Sequence, residues 1–157
     1  MTGSTLSRFD SLEQEAFLSL WRTYDRLRAL EDELFLRYEL TPQQYNVLRL
    51  LKGVHPEKSQ TLALANRLVS RAPDITRMLD KLETRGLIVR ERPEDNRRTV
   101  RVCITDAGLK LLEEIAGPLR RCHERQLGHM QPEALRQLVG LLRAARAPHE
   151  GARSVWG

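Results

Sequence analysis

Apolar residues recur at helical spacing from early in the chain: Leu12, Ala16, Phe17, Leu20, Trp21, Tyr24, Leu27, Leu30, Leu34, Phe35 and Tyr38. The pattern predicts one long helix, capped by Ser11 with Gln14 closing a capping box, and reaching about Tyr38. The preceding residues, 1–10, are polar and expected to be frayed. So long a helix exceeds the usual globular span, and a small chain has little mass with which to cover its stripe; a second subunit would supply the cover. Thr41 and Pro42 restart the chain as cap and first helical residue. The helix at 43–51 offers Tyr45, Val47, Leu48 and Leu51 to a core. Gly53 ends it, and 54–60, with His55 and Pro56, reads as loop. Thr61 caps a short helix whose apolar side is Leu62, Leu64, Ala65 and Leu68. After a tight turn at 69–72, another helix begins near Pro73. Its inner face is Ile75, Met78, Leu79, Leu82 and Gly86; its outer face is Asp74, Arg77, Lys81 and Arg85. Two helices joined by so tight a turn form a helix-turn-helix unit.

Gly86 stops that helix, and the period changes from helical to alternating. Residues 87–92 alternate loosely and 99–104 clearly, with Val100, Val102 and Ile104 opposite Arg101 and Cys103. Pro93-Glu94-Asp95-Asn96 between them is turn chemistry, so the pair reads as a two-stranded hairpin. Thr105 caps the next helix, with Asp106 at its positive end and Leu109, Leu112, Ile115, Leu119 and Cys122 on one face. Gly117-Pro118 should kink it, and it ends near Gly128. Pro132 opens a last helix with Leu135, Leu138, Val139, Leu142 and Ala145 inside. The tail at 148–157 has no pattern and is expected to be flexible.

Charge sharpens this picture. The 157-residue chain carries a net charge of +5. The stretch 67–101 alone holds ten Lys/Arg against six Asp/Glu, so the surplus sits on the helix-turn-helix and hairpin. A basic helix beside a basic hairpin is the build of a winged helix-turn-helix DNA reader. The two cysteines, Cys103 and Cys122, form no CxxC pair and no disulfide framework, which fits a reducing cytosol. No apolar run approaches the roughly 18–20 residues of a membrane span. The first residues carry no signal-peptide pattern, so a cytoplasmic protein with no membrane partner is expected.

Five short motifs, in order, resemble the MarR family of bacterial transcriptional regulators. Leu40-Thr41-Pro42-Gln43-Gln44-Tyr45-Asn46-Val47-Leu48 is similar to the family's LTxxQ entry to its second helix, and Leu64-Ala65-Asn66-Arg67-Leu68 to its LAxRL. The run from Thr76 to Leu87 resembles TRxxDxLExxGL. Asp95-Asn96-Arg97-Arg98 resembles the DxRR of the wing, and Ile104-Thr105-Asp106-Ala107-Gly108 the LTxxG that follows it. The resemblance covers about 11–146. It implies a mainly α fold of six helices with a β-hairpin wing. Residues 41–104 would form the DNA-binding region, and 11–40 and 105–147 would dimerise. The chain departs from the family's common Ser/Thr-rich start to the reading helix, having Arg71-Ala72-Pro73-Asp74-Ile75-Thr76-Arg77 instead. The helix's role therefore carries over, but its base contacts do not.

In such a regulator the helix from Pro73 enters a major groove and the wing an adjacent minor groove. Arg71 is the first candidate for a base contact, with a phosphate contact or a solvated turn as alternatives. Asp74 can accept from cytosine, pair with Arg77, or support the helix N-terminus. Arg77 is read as a phosphate contact or a prop for the wing, and Thr76 as a phosphate contact or partly buried. Ser70 and Thr61 suit phosphates or plain capping. Arg97 is the minor-groove candidate, Arg98 a phosphate contact, and Asp95 a turn former or partner to Arg77 or Arg98. Trp21, Tyr24, Tyr38 and Tyr45 could line a pocket for a small aromatic effector; core and dimer packing is the competing explanation. His123 and His129 do not share a helix face, so no metal site is expected, nor any cofactor. Cys103 and Cys122 read as structural. The expected protein is a homodimeric repressor of a palindromic operator, released by an effector. The alternative is a winged-helix protein-interaction module without DNA binding. An enzyme is not expected, for want of a phosphate loop, nucleophile–base pair or metal cluster.

Overall fold

The computed structural model describes residues 8–70, 74–152, 154 and 156. Among them are six α-helices and one three-stranded antiparallel sheet. The first helix, α1 (Leu12–Leu36), opens as its sequence predicts, with Ser11 Oγ accepting from Gln14 N at 3.0 Å. It closes where Glu39 takes a left-handed φ of 52° and the Leu40 N–H reaches the Phe35 carbonyl at 3.1 Å. A non-glycine residue in that conformation costs on the order of 1 kcal/mol, offset here by the closing hydrogen bonds. The chain turns at once into α2 (Pro42–Val54), whose capping box is complete: Thr41 Oγ1 accepts from Gln44 N and Gln44 Oε1 from Thr41 N. Gly53 does not end this helix; it stands inside the last turn.

Two departures from the sequence reading follow. Ser59–Gln60 form a short strand, β1, where a loop was expected, so the wing hairpin is two strands of a three-stranded sheet rather than a lone hairpin. Thr61, expected to cap α3 (Thr61–Arg67), is its first helical residue instead. No side chain caps that helix; the Thr61 hydroxyl and N–H both reach the Val100 carbonyl. The wing's backbone thus takes the hydroxyl that the helix would have used.

The next helix, α4 (Ile75–Thr84), ends as predicted at Gly86, whose φ is +72°. The Gly86 and Leu87 N–H groups return to the Glu83 and Leu82 carbonyls at 2.9 and 3.0 Å, a Schellman closure. Strands β2 (Ile88–Glu91) and β3 (Arg101–Ile104) pair antiparallel with Ile88 opposite Ile104, and β1 pairs with the other edge of β3. Then α5 (Asp106–Leu127) starts under Thr105, which accepts from Gly108 N and donates to the Gly86 carbonyl at 2.6 Å. A side chain at Gly108 would collide with the Leu87 carbonyl and Ile104, so glycine is what lets α5 lie this close. The helix continues through Pro118. Last come α6 (Pro132–Arg146) and a 3₁₀ turn at Ala147–His149. In the tail, Glu150 receives Arg146 and the Ser154 hydroxyl, and Arg146 also donates to the Trp156 carbonyl.

The core joins α2, α3, α4 and the sheet to the C-terminal end of α1 and to α5. Phe35, Val47, Leu48, Leu51, Leu64, Leu79, Leu82, Ile88, Val102 and Ile115 are fully buried. Each such side chain contributes about 1.5–3 kcal/mol relative to exposure. In the N-terminal half of α1 the stripe is open: Phe17, Trp21 and Tyr24 are each more than 60% exposed. The sequence reading placed five α6 residues inside, and within one chain that fails. Leu135, Leu138 and Leu142 are half-buried, Val139 and Ala145 exposed, and α6 has no fully buried residue. Among the described residues, no helix is long and apolar enough to cross a membrane.

Candidate nucleic-acid interface

The exposed side of α4 carries Thr76, Arg77, Asp80, Lys81 and Thr84. Asp74 settles into one of its candidate positions: its Oδ1 accepts from the Arg77 backbone N–H at 3.0 Å and caps the helix. It does not pair with the Arg77 guanidinium, which has no acidic partner among the described residues and stays available. Arg71 and Pro73 lie outside the described residues. Ser70 is exposed, and its Oγ accepts from Gln43 Nε2 at 3.0 Å. Gln43 was missed as a support because it lies 27 positions away.

At the wing, two overlapping turns carry the chain from Pro93 to Thr99: Asn96 N donates to the Pro93 carbonyl and Thr99 N to the Asn96 carbonyl. The Asn96 side chain accepts from Arg98 N, and Arg92 Nη1 donates to the Arg97 carbonyl at 2.9 Å. These bonds hold the backbone while the Arg97 and Arg98 side chains remain exposed. Asp95 pairs with neither Arg77 nor Arg98; backbone bonds and Arg92 do the holding that was expected of it. Arg92, which sequence reasoning passed over, is legible only as a cation facing its own turn.

A brace joins the helix to the wing. Arg90 of β2 donates through its backbone N to Glu83 Oε2 at 2.8 Å, through Nη2 to Glu83 Oε1 at 3.1 Å, and to Asp80. The hydrogen bond from Arg90 holds the Glu83 carboxyl below the usual carboxylate range, and the same bond raises Arg90. Arg90 is thereby removed from the free positive charge, while Arg77, Lys81, Arg97 and Arg98 keep theirs. Between α3, α4 and the wing lies a groove of about 1010 Å³, bordered by Thr61, Leu62, Thr76, Arg92 and Arg98. The reading helix and the wing therefore open onto one concavity.

The four aromatic effector candidates are not brought together within one chain. Trp21 and Tyr24 stand exposed near the middle of α1, Tyr38 is half-buried just past its end, and Tyr45 is half-buried on α2. At about 1.5 Å per helical residue, Tyr24 and Tyr38 are roughly 20 Å apart along the helix. Tyr45 instead stacks on Phe35 with ring centroids 4.8 Å apart, which fits the packing explanation. Around it is a polar cluster that the sequence reading missed. Burial raises both Tyr45 and the half-buried Glu31, and Arg49 donates to the buried Asn46 at 3.0 Å. Gln126 of α5 is buried against α1, donating to the Leu27 carbonyl at 2.8 Å while facing His123. Burial likewise raises the Cys122 thiol, which disfavours a reactive thiolate. Among the described residues no three His, Cys, Asp or Glu side chains gather to hold a metal ion.

Known proteins share this arrangement. A MarR family model matches residues 40–100. The Bacillus subtilis protein YkoM, described as an uncharacterized HTH-type transcriptional regulator, is 30% identical over 142 residues, covering 87% of this chain and 90% of its own. The crystal structure of a MarR transcription factor from Planctomyces limnophilus is 57% identical, with a TM-score of 0.70, covering 87% of this chain and 99% of that one. Bordetella bronchiseptica BpsR, solved to explain how 6-hydroxynicotinic acid regulates its DNA binding, shares the fold at 21% identity. Its TM-score is 0.76, with 86% of this chain and 95% of that one covered.

Proposed function

The chain belongs to the MarR family of winged helix-turn-helix transcription factors, and on that premise we propose that two copies of it bind one palindromic operator as a repressor released by a small molecule. The observation that carries this reading is the shared groove, where Thr76 of the reading helix and Arg92 and Arg98 of the wing border one concavity. A duplex seated there meets α4 in its major groove and the wing in the adjacent minor groove. Arg97 at the tip of the wing enters the narrow groove, where negative potential concentrates. Arg98, Arg77, Thr76 and Ser70 face phosphate, with Asp74 orienting the helix that it caps; Thr61, whose hydroxyl and N–H both serve the Val100 carbonyl, has no donor left for that role. Arg71 remains the candidate for reading a base.

The uncovered faces of α1 and α6 support the dimer, since a second copy buries both. Repression follows from seating that dimer across a promoter, and its place of work is the cytoplasm, with the DNA. The effector reading draws on BpsR, whose DNA binding 6-hydroxynicotinic acid regulates. The polar cluster around Tyr45, where α1, α2 and α5 meet, gives an aromatic acid or phenol groups to bond. Such a ligand acts only if it binds one separation of the two reading heads better than the other.

Selection of bound duplexes from a random DNA pool tests the proposal. The expected result is an inverted repeat with half-sites roughly 10 base pairs apart, centre to centre, or a multiple of that. Enrichment of single, non-repeated sites would overturn the dimeric reading. No salt-sensitive binding at all would favour the interaction module instead.

A further inference from the structure

Helical spacing puts Arg85 on the outer face of α4, one turn beyond Lys81, where it would be taken for a DNA contact. Its side chain goes elsewhere. Arg85 Nη1 donates to the Glu39 carbonyl at 2.7 Å and Nη2 to the Tyr38 carbonyl at 3.2 Å. Those two carbonyls lie just past the end of α1, at the left-handed corner that turns the chain into α2. The end of a helix presents partial negative charge and unsatisfied carbonyls. The last turn of α1 holds no basic residue, so a cation for this end arrives from α4. A planar guanidinium can serve two adjacent carbonyls at once, which an ammonium cannot do with the same geometry.

The trailing end of α4 is held a second time. Thr105, the cap of α5, donates to the Gly86 carbonyl through its hydroxyl and to the Leu87 carbonyl through its N–H. Both frame helices that meet the reading unit, α1 and α5, are thus bonded to the same three residues, 85–87. The Thr105 bonds lie within the continuous 84–108 segment, whereas Arg85 bridges 46 and 47 positions. It is therefore a long-range side-chain tie between the reading helix and the end of α1.

We propose that Arg85 is a positioning residue: it locks the reading helix to the dimerisation frame and so sets which half-site spacing the dimer accepts. The inference rests on the dimeric, palindrome-binding reading above. A rigid tie concentrates the second head at one geometry, whereas a loose one spreads it over several. Each inserted base pair turns one half-site by roughly 35° relative to the other, so spacing is a sensitive gauge of that rigidity.

The test uses the full chain and three kinds of duplex: the selected palindrome, the same half-sites moved apart or together by one and two base pairs, and a single half-site. Wild type should lose at least about tenfold on the shifted palindromes. Arg85→Ala should weaken the optimal palindrome about tenfold, flatten the spacing profile to within about threefold, and leave half-site affinity unchanged. Arg85→Lys, which keeps the charge but not the fork, should fall between; it carries the test if Arg85→Ala fails circular dichroism or loses the dimer. A variant profile parallel to wild type overturns the proposal. Equal loss on the single half-site also overturns it, and makes Arg85 a direct DNA contact. Failure of the underlying reading shows separately, in wild type, as indifference to palindrome and spacing.

Discussion

The reading unit and the terminal helices solve the problem of burial in opposite ways. Between α2 and β3 nearly every apolar side chain of the inner faces finds cover within the chain, and Leu48, Leu82, Ile88 and Val102 are wholly enclosed. Along α1 and α6 the same helical spacing leads to exposed Phe17, Trp21, Tyr24, Val139 and Leu141. Both regions have amphipathic sequence, so amphipathicity alone does not say where the covering surface comes from. The polar groups divide likewise. Those of the reading unit are tied to one another through Arg90–Glu83, Gln43–Ser70 and Arg92–Arg97, whereas the ion pairs of α1 are local steps along one helix. The first region is finished as a single chain; the second leaves apolar side chains open among the described residues.

The difference breaks most visibly in the reading unit. Leu82→Ala, at a site with no exposure, should cost about 2–5 kcal/mol in urea denaturation and abolish DNA binding with it. In the frame an equally harsh change should act differently. Trp21→Glu should leave the chain folded by circular dichroism while weakening self-association roughly 30-fold or more, read by sedimentation across a dilution series. If Trp21→Glu unfolds the chain, the contrast between the regions is lost. At the wing, Arg97→Ala should weaken operator binding about tenfold in a mobility-shift titration with fold and dimer intact. Undiminished affinity would remove Arg97 from the groove.

The smallest expected effect concerns the brace. Arg90 lowers the Glu83 pKa, so the pair's contribution is present above the ordinary carboxylate value of 4.5 and fades as pH falls through the lowered one. Glu83→Gln should therefore reduce stability slightly at neutral pH and leave a shallower decline toward acid, seen as urea midpoints against pH. The effect stays small because the pair is partly exposed and screened by solvent. A decline as steep as in wild type would place the acid sensitivity in other groups.

What could be read from sequence was what local chemistry decides. The Ser11, Thr41 and Thr105 caps, the Gly86 stop and the inward face of β3 all depend on residues within a few positions of one another, and all stand where spacing puts them. Strand β1 was hidden because two residues show no period and their partner lies about forty positions on. Thr61 looked like a cap for the same reason, since its carbonyl partner, Val100, is equally remote. Within the candidate site, the exposed wing arginines were legible from turn residues alone. Gln43 beneath Ser70 and Arg85 on the end of α1 were not, because each bond crosses between elements whose angle no short motif encodes. The stripe of α6 is apolar as its spacing says, but none of it is fully buried within the chain, because spacing alone does not say which surface covers a face.

Light scattering of the full chain at micromolar concentration, alone and then on the selected operator, tests the central claim most directly. The account predicts a particle of twice 18.1 kDa before DNA is added and two chains on every duplex afterwards. A stable 18.1 kDa particle that occupies the operator one chain at a time would contradict it.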